Sequence, residues 1–311
     1  MTIGISKLDL SLQAQILMGS YGRFLGPRGK ILYVDSTAAG AGNSQPGRRP
    51  TAPFATVASA VASATANVGD LIVIAPGHTE TIATAGGITC AVAGVTIIGL
   101  GTGASRPTFS FSGTAASWVI SAASVYIANI RVTPSIDEVV SMFSVTGADC
   151  TFDAVDHVDA GAALQTIQFL LTTSGATRIT IKNCYHVQTT AAAAAQRWIY
   201  IVGAATPRLL DNTFVLALND GATSCVIGLD TAVRNAELGR NKGKMTGYSA
   251  NLLSFVLAAA AATGFEYDSR FTADVAAITT INDFPGGYSL ECYVVRVVDK
   301  NAILDPVISA T

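Results

Sequence analysis

Val95-Thr96-Ile97-Ile98, Val125-Tyr126-Ile127-Ala128, Cys150-Thr151-Phe152-Asp153 and Ile179-Thr180-Ile181-Lys182 are four short apolar runs of one kind, and their recurrence decides the fold. Arg208-Leu209-Leu210-Asp211 and Arg234-Asn235-Ala236-Glu237 continue the series, with a weaker Gly264-Phe265-Glu266-Tyr267. The third residues fall at 97, 127, 152, 181, 210, 236 and 266, so the steps are 30, 25, 29, 29, 26 and 30. A second run precedes most of these across a short glycine, alanine or serine turn. These runs are Trp118-Val119-Ile120, Met142-Phe143-Ser144-Val145, Phe169-Leu170-Leu171, Trp198-Ile199-Tyr200-Ile201, Cys225-Val226-Ile227 and Leu253-Ser254-Phe255-Val256. Short strands, small-residue corners and a period of about 28 residues describe a solenoid whose strands stack in parallel about 4.8 Å apart. The expected fold is all-β: a single-stranded parallel β-helix of about seven coils, about 35 Å long. Helical repeats of similar period need two amphipathic runs of about ten residues per unit, and residues 90 to 270 contain none.

Outward from the rod, Pro53-Phe54-Ala55-Thr56-Val57-Ala58-Ser59-Ala60-Val61 places Phe54, Val57, Ala58 and Val61 on one helical face, with Pro53 suited to a first turn. A capping helix near 53–66 would hide the core and block pairing at the first strand edge. Gly69-Asp70 then ends it, and Leu71-Ile72-Val73-Ile74 opens the first coil. The expected organisation is an N-terminal arm over 1–30, the β-helix over 31–271 and a C-terminal β extension over 272–311. Both ends are extended arms suited to assembly. Leu8, Leu10, Leu12, Ile16, Leu17 and Met18 are apolar with no clean period, and Tyr293, Val295 and Val297 lie in a β-prone run apolar on both faces.

Nineteen basic and 21 acidic residues make up 13% of the 311, about half the usual share of roughly 25%, while apolar residues reach 50%. No uninterrupted apolar run of about 18 residues is present, so no membrane-spanning helix is expected. A net charge of -2 offers no basic field for phosphates, which argues against a nucleic-acid partner. Cys90, Cys150, Cys184, Cys225 and Cys292 are scattered and odd in number, without CxxC; they read as buried thiols rather than disulfides or a zinc site. The N-terminal residues show no secretory signal, which points to synthesis in a cytosol.

Tyr33-Val34-Asp35-Ser36, Gly40, Gly42-Asn43-Ser44, Pro53-Phe54-Ala55-Thr56, Gly69-Asp70-Leu71-Ile72-Val73-Ile74 and Pro76-Gly77-His78-Thr79-Glu80-Thr81 together resemble the opening of pectin-lyase-like right-handed β-helix proteins. In particular they resemble those encoded by tailed phages and prophages. The likeness is close over about residues 31 to 85 and is one of spacing alone in the coils. It implies a right-handed β-helix and a set of functions: tailspikes and fibres that cut or bind polysaccharide, polysaccharide lyases, and trimeric proteins that cement or decorate capsids. Size and apolar arms make the chain look most like a capsid cement protein. The resemblance thus implies a virion protein, made in the host cytoplasm, whose partners are its own copies and a major capsid protein or other virion proteins.

A surface argument stands beside this. In Trp198–Ala205 and Ser254–Ala262 both strand faces read as apolar or small. A monomer seldom exposes an apolar stripe above a few hundred Å². A flank of the rod is therefore expected to be covered, most simply in a homotrimer of side-by-side rods, unless long loops fold back over the strands.

The densest polar constellation is Asp149, Asp153, Asp156, His157 and Asp159. A glycosidase needs two carboxylates flanking the bond, one held protonated. Asp153 and Asp156, with Glu138, are the acids of the alternative reading, a tailspike-like enzyme or binder of polysaccharide. The competing reading is solvated turn charges, with Asp153 paired to Lys182 across coils, so that no residue is catalytic. Arg208 and Arg234 read as aligned in consecutive coils, with Arg178 near that column, better suited to interface salt bridges than to an acidic sugar. His78 and Glu80 share a strand face with no third ligand near in sequence, and His186 reads as a surface or turn histidine. Gly99-Leu100-Gly101-Thr102-Gly103 is followed by another strand rather than the helix a dinucleotide site needs. Asn129, Asn183 and Asn212 read as equivalent turn asparagines. No cofactor or metal is expected.

Overall fold

A computed structural model describes residues 29–159, 161, 164–219, 223–245 and 254–273, with the backbone of strands Asn282–Asp283, Gly287–Leu290, Tyr293–Arg296 and Ile303–Pro306. The chain winds into a right-handed parallel β-helix with three strands per coil rather than two. In the coil that starts at Leu71–Ile74, that strand lies in sheet 1, Thr79–Ile82 in sheet 2 and Ile88–Cys90 in sheet 3. The sheets contain ten, ten and eight strands. The seven runs that define the period are consecutive strands of sheet 1, from Thr96–Gly99 to Gly264–Tyr267. Leu71–Ile74 and Ile31–Val34 extend that sheet at one end, and Gly287–Leu290 extends it at the other.

The inward column of sheet 1 reads Ile72, Ile97, Ile127, Phe152, Ile181, Leu209, Leu238 and Glu266. Two register positions differ from the sequence reading, 209 for 210 and 238 for 236. Leu209-Leu210 offers two adjacent candidates, and Ala236 also faces inward two residues before Leu238, so alternation alone does not separate them.

Sheet 2 is the strand missing from the coils read between residues 125 and 270; the sequence reads it as strand only at its two ends, around His78-Glu80 and Thr108–Phe111 and again in the run holding Tyr293. From Asn129 onward the corner between sheets 1 and 2 is two residues long and carries no run of turn residues to announce it. Its pairs are Asn129-Ile130, Ala154-Val155, Asn183-Cys184, Asp211-Asn212, Arg240-Asn241 and Asp268-Ser269. The first member is left-handed each time, with φ of 55, 53, 55, 57, 53 and 47° respectively, and the second is buried. Asn129 and Asn183 are therefore equivalent, as read, but Asn212 is one step on. It points inward, where its Nδ2 donates to Asn241 Oδ1 (3.1 Å) and to the Ile181 carbonyl (3.0 Å).

The cap is helix α1, Val57–Ala62, shorter than expected. Thr56 takes the N-cap in extended conformation and accepts from Ser59 N. Pro53 and Phe54 lie before it in extended chain, with Phe54 N donating to the Tyr33 carbonyl at 2.9 Å. Val57, Ala60 and Val61 are buried against Ile31–Val34, Leu71–Ile74 and Ile88–Cys90.

The runs that read as apolar on both faces resolve mostly inward. Trp198, Ile199 and Ile201 are buried, as are Phe255, Val256 and Ala258, because two successive residues enter the core at the start of each strand. Tyr200 and Leu257 remain outward. Tyr293 and Val295 lie in a strand that continues sheet 2, described as backbone only. Leu8, Leu10, Leu12, Ile16, Leu17, Met18 and Val297 lie outside the described residues. No helix among the described residues is long and apolar enough to cross a membrane.

Candidate functional site

The acidic constellation is carried around the rod by one coil, so residues adjacent in sequence face different directions. Asp149 is a left-handed corner residue between sheets 3 and 1, Asp153 faces out of sheet 1, Asp156 faces out of sheet 2, and His157 points into the core. Glu138 sits in the loop after Arg131–Pro134, on the way to sheet 3. The three candidate acids Asp153, Asp156 and Glu138 thus occupy two sheets and a loop and do not converge on one bond.

Each has its own neighbours. Asp149 receives Arg178 in a bidentate pair, Nε to Oδ1 at 2.6 Å and Nη2 to Oδ2 at 2.7 Å, which holds its carboxyl below the ordinary range. Asp153 accepts from Tyr126 Oη (2.6 Å) and Asn183 Nδ2 (2.8 Å) and pairs with Lys182 Nζ (3.1 Å) across the coil. Burial raises its pKa, but those donors outweigh it and the net shift is downward. Asp156 is ion-paired to Arg106 and lies in register with Arg131. Here burial outweighs both arginines and the carboxyl is pushed up. Asp159 accepts from Thr189 N at 2.6 Å, and Glu138 accepts from Ala193 N at 2.6 Å.

The same rule governs the basic residues. Arg208 Nε meets Glu237 at 2.6 Å in the next rung, and Arg240 grips Asp211 at 2.7 and 2.6 Å. Arg234 is not in the Arg208 column. It lies at the corner after sheet 3, donating to the carbonyls of Thr231, Val233 and Ala261. Both bidentate pairs, Asp149 with Arg178 and Asp211 with Arg240, join left-handed corner residues of successive coils. The outer charges act largely as staples between rungs. Tyr126 and Asn183 around Asp153, and Arg106 beside Asp156, were not legible, since their spacings of 27, 30 and 50 residues acquire meaning only with the register in hand.

All three histidines are buried. His78 Nδ1 accepts from Ser36 N (3.0 Å), leaving Nε2–H to face Glu80 Oε2 (3.3 Å). The same oxygen accepts from Val57 N at 2.8 Å, the first turn of α1. The pair is a latch for the cap. His157 and His186 are neighbours in register inside sheet 2, so the surface placement read for His186 is overturned by an inward strand position. Cys90, Cys150, Cys184 and Cys225 are free and buried, and burial pushes their thiols up to about 12, 11, 12 and 12. Among the described residues no three His, Cys, Asp or Glu side chains are grouped to hold a metal ion.

The outer faces differ in character. Sheets 1 and 2 carry the stapled charges. The outward column of sheet 3 runs Thr89, Val119, Ser144, Leu171, Tyr200, Gly228 and Leu257, seven rungs without a charge, before Asp283. Tyr200 lies over Gly228, where an added Cβ would stand 2.9 Å from the ring, and Arg197 sits 4.4 Å above that ring.

Stacked three-strand coils with rung-to-rung staples define the class as a parallel β-helix. No family model matches the sequence, and no curated protein matches it. Among solved structures the chain is similar to a rhamnogalacturonan lyase, with a TM-score of 0.42 and 13% identity over 80% of this chain and 70% of that one.

Proposed function

We propose that the chain is a structural virion protein of a tailed phage, a homotrimeric β-helix of the capsid cement or decoration type, made in the host cytoplasm and joined to a major capsid protein or another virion protein. The observation that carries this reading is the uncharged outer column of sheet 3 on a rod whose other two faces carry charges, several of them in ion pairs between rungs. Interface cores are depleted in charge, and three equivalent flanks bury one another in a closed trimer. The apolar terminal residues, Leu8 to Met18 and Tyr293 to Val297, are the contacts proposed for the capsid lattice. The polysaccharide reading draws less support, because Asp153, Asp156 and Glu138 stand apart and each already has partners.

Light scattering on the purified chain tests the assembly, with an expected mass of three times 31.9 kDa. Leu171→Lys with Leu257→Lys should yield folded single chains. Removing residues 1 to 20 should leave a folded trimer that no longer joins particles. A monomeric wild-type chain at micromolar concentration, or release of oligosaccharide from host capsule, would overturn the reading.

A further inference from the structure

The rung staples leave cations clustered on one stretch of sheet 2. On the outer face of sheet 2, Tyr185, Thr213, Lys242 and Arg270 form one column in register, and Val187, Val215, Lys244 and Thr272 form the next. Neither Thr213 nor Arg270, the rung neighbours of Lys242, is a carboxylate. Among the described residues Lys242 has no ion pair, and Arg270 reaches Asp268 only at 3.5 Å. With Arg240 at the corner, Lys242 and Arg270 make three cations against the two carboxylates Asp211 and Asp268, on a chain of net charge -2. Asp211, Thr213, Arg240, Lys242, Asp268 and Arg270 line a cleft of roughly 250 Å³ there. Two rungs earlier the face turns apolar: Tyr185 is 44% exposed, beside half-buried Val187 and Val215.

We propose that this face docks an extended segment of another protein, lying along the rod axis, with apolar residues over Tyr185, Val187 and Val215 and carboxylates over Lys242 and Arg270. Charge complementarity selects the occupant: Lys242 is exposed and in no ion pair among the described residues, and Asp211, the carboxylate nearest it in the cleft, is already held by Arg240 in a bidentate pair. Three rung steps separate Tyr185 from Arg270, about 14 Å, which four or five extended residues span. The segment therefore carries its apolar and acidic ends within one short motif. The surface is separate from the proposed trimer flank, because sheet 3 is not part of it, although its next rung, Tyr293, is among the contacts proposed for the capsid lattice.

The probe is a fluorescently labelled octapeptide, two leucines and a glycine followed by alternating aspartate and glutamate, titrated with the full chain and followed by anisotropy. Binding should weaken several-fold between about 50 and 300 mM salt. It should weaken at least ten-fold for Lys242→Glu with Arg270→Glu and several-fold for Tyr185→Ala. Lys242 and Arg270 are exposed, and an unchanged melting curve for the double variant establishes that it folds. The proposal is overturned by equal binding of the peptide with asparagine and glutamine in place of the acids, by an unaffected double variant, or by no binding at millimolar peptide. It is also overturned if a sulfated oligosaccharide of equal charge binds more tightly, which assigns the cleft to a glycan. Self-association lost in the double variant overturns it by assigning the face to a second copy.

Discussion

The capped end of the rod and its middle bury histidine in opposite ways. At the cap, His78 is held by two polar partners, Ser36 N and Glu80, and the pair ties helix α1 to the first coil. In the middle, His186 has no hydrogen-bond partner on either ring nitrogen; it lies stacked on Phe214 at 4.9 Å and edge-on to Phe169 at 4.4 Å. His157 is intermediate, with Nδ1 on the Val187 carbonyl (2.9 Å) and Nε2 on Thr166 Oγ1 (3.1 Å), and Trp198 4.6 Å away. A histidine at the cap works as a connector, whereas in the middle it works as an aromatic plate. The largest break in this contrast comes from the plate the middle depends on. Trp198→Ala removes the ring shared by His157, His186 and Phe169 and should destabilise the fold by about 3–5 kcal/mol, read from urea unfolding.

Acid should distinguish the two regions next. Burial lowers His157 to about 4, against hydrogen bonding and the charge of Asp159, which raise it. Burial, with the neighbouring His157, drives His186 well below the ordinary value. Both are neutral when folded and bind protons when unfolded, so stability is full above about pH 6.5 and falls as pH drops toward 4. For His157 alone the loss is about 3 kcal/mol over that window. Unfolding midpoints measured from pH 8 to 4 should show it, and a flat profile would remove the mid-rod contrast.

At the cap, Glu80→Ala leaves Val57 N and His78 Nε2 without their acceptor and should lower stability by about 1–2 kcal/mol. Glu80→Gln, which keeps an acceptor oxygen, should recover most of it. Protease cleavage within 53–62 is the local readout, expected to accelerate in the alanine variant before the rod itself melts.

How far these regions were legible follows from what a period can reveal. Sheet 1 was readable because Ile97, Ile127, Phe152 and Ile181 repeat an apolar inward residue on a step near 28. Sheet 2 was not, because its inward column mixes Phe109, Val132, His157, His186 and Phe214, and no one chemical type holds through the rungs. The acidic constellation looked like a site because sequence brings Asp149, Asp153, Asp156 and His157 within one short stretch. A coil with two-residue corners turns them through different faces; the pairing of Asp153 with Lys182 was readable from the alignment of coils, whereas only register shows Arg178 and Arg106 as the partners of Asp149 and Asp156. His78 and Glu80 were seen to share a face, but not that the face was internal, since their partners Ser36 and Val57 come from the cap.

The smallest effect is the sharpest discriminator. His186→Phe removes no hydrogen bond seen in the structure, keeps a flat ring on Phe214, and replaces a polar edge with an apolar one in a fully buried place. A near-isosteric swap of this kind changes stability by less than about 1.5 kcal/mol, and the desolvated ring nitrogens it removes offset part of any crowding. At pH 8 its unfolding midpoint should lie close to that of the parent chain. At pH 5 it should lie above the parent, because one of the two groups that protonate on unfolding is gone. The same exchange at the cap, His78→Phe, strands Ser36 N and Glu80 and should destabilise at every pH. If His186→Phe and His78→Phe behaved alike, the imidazole in the middle would be a connector too, with a polar partner that the stacked geometry does not provide.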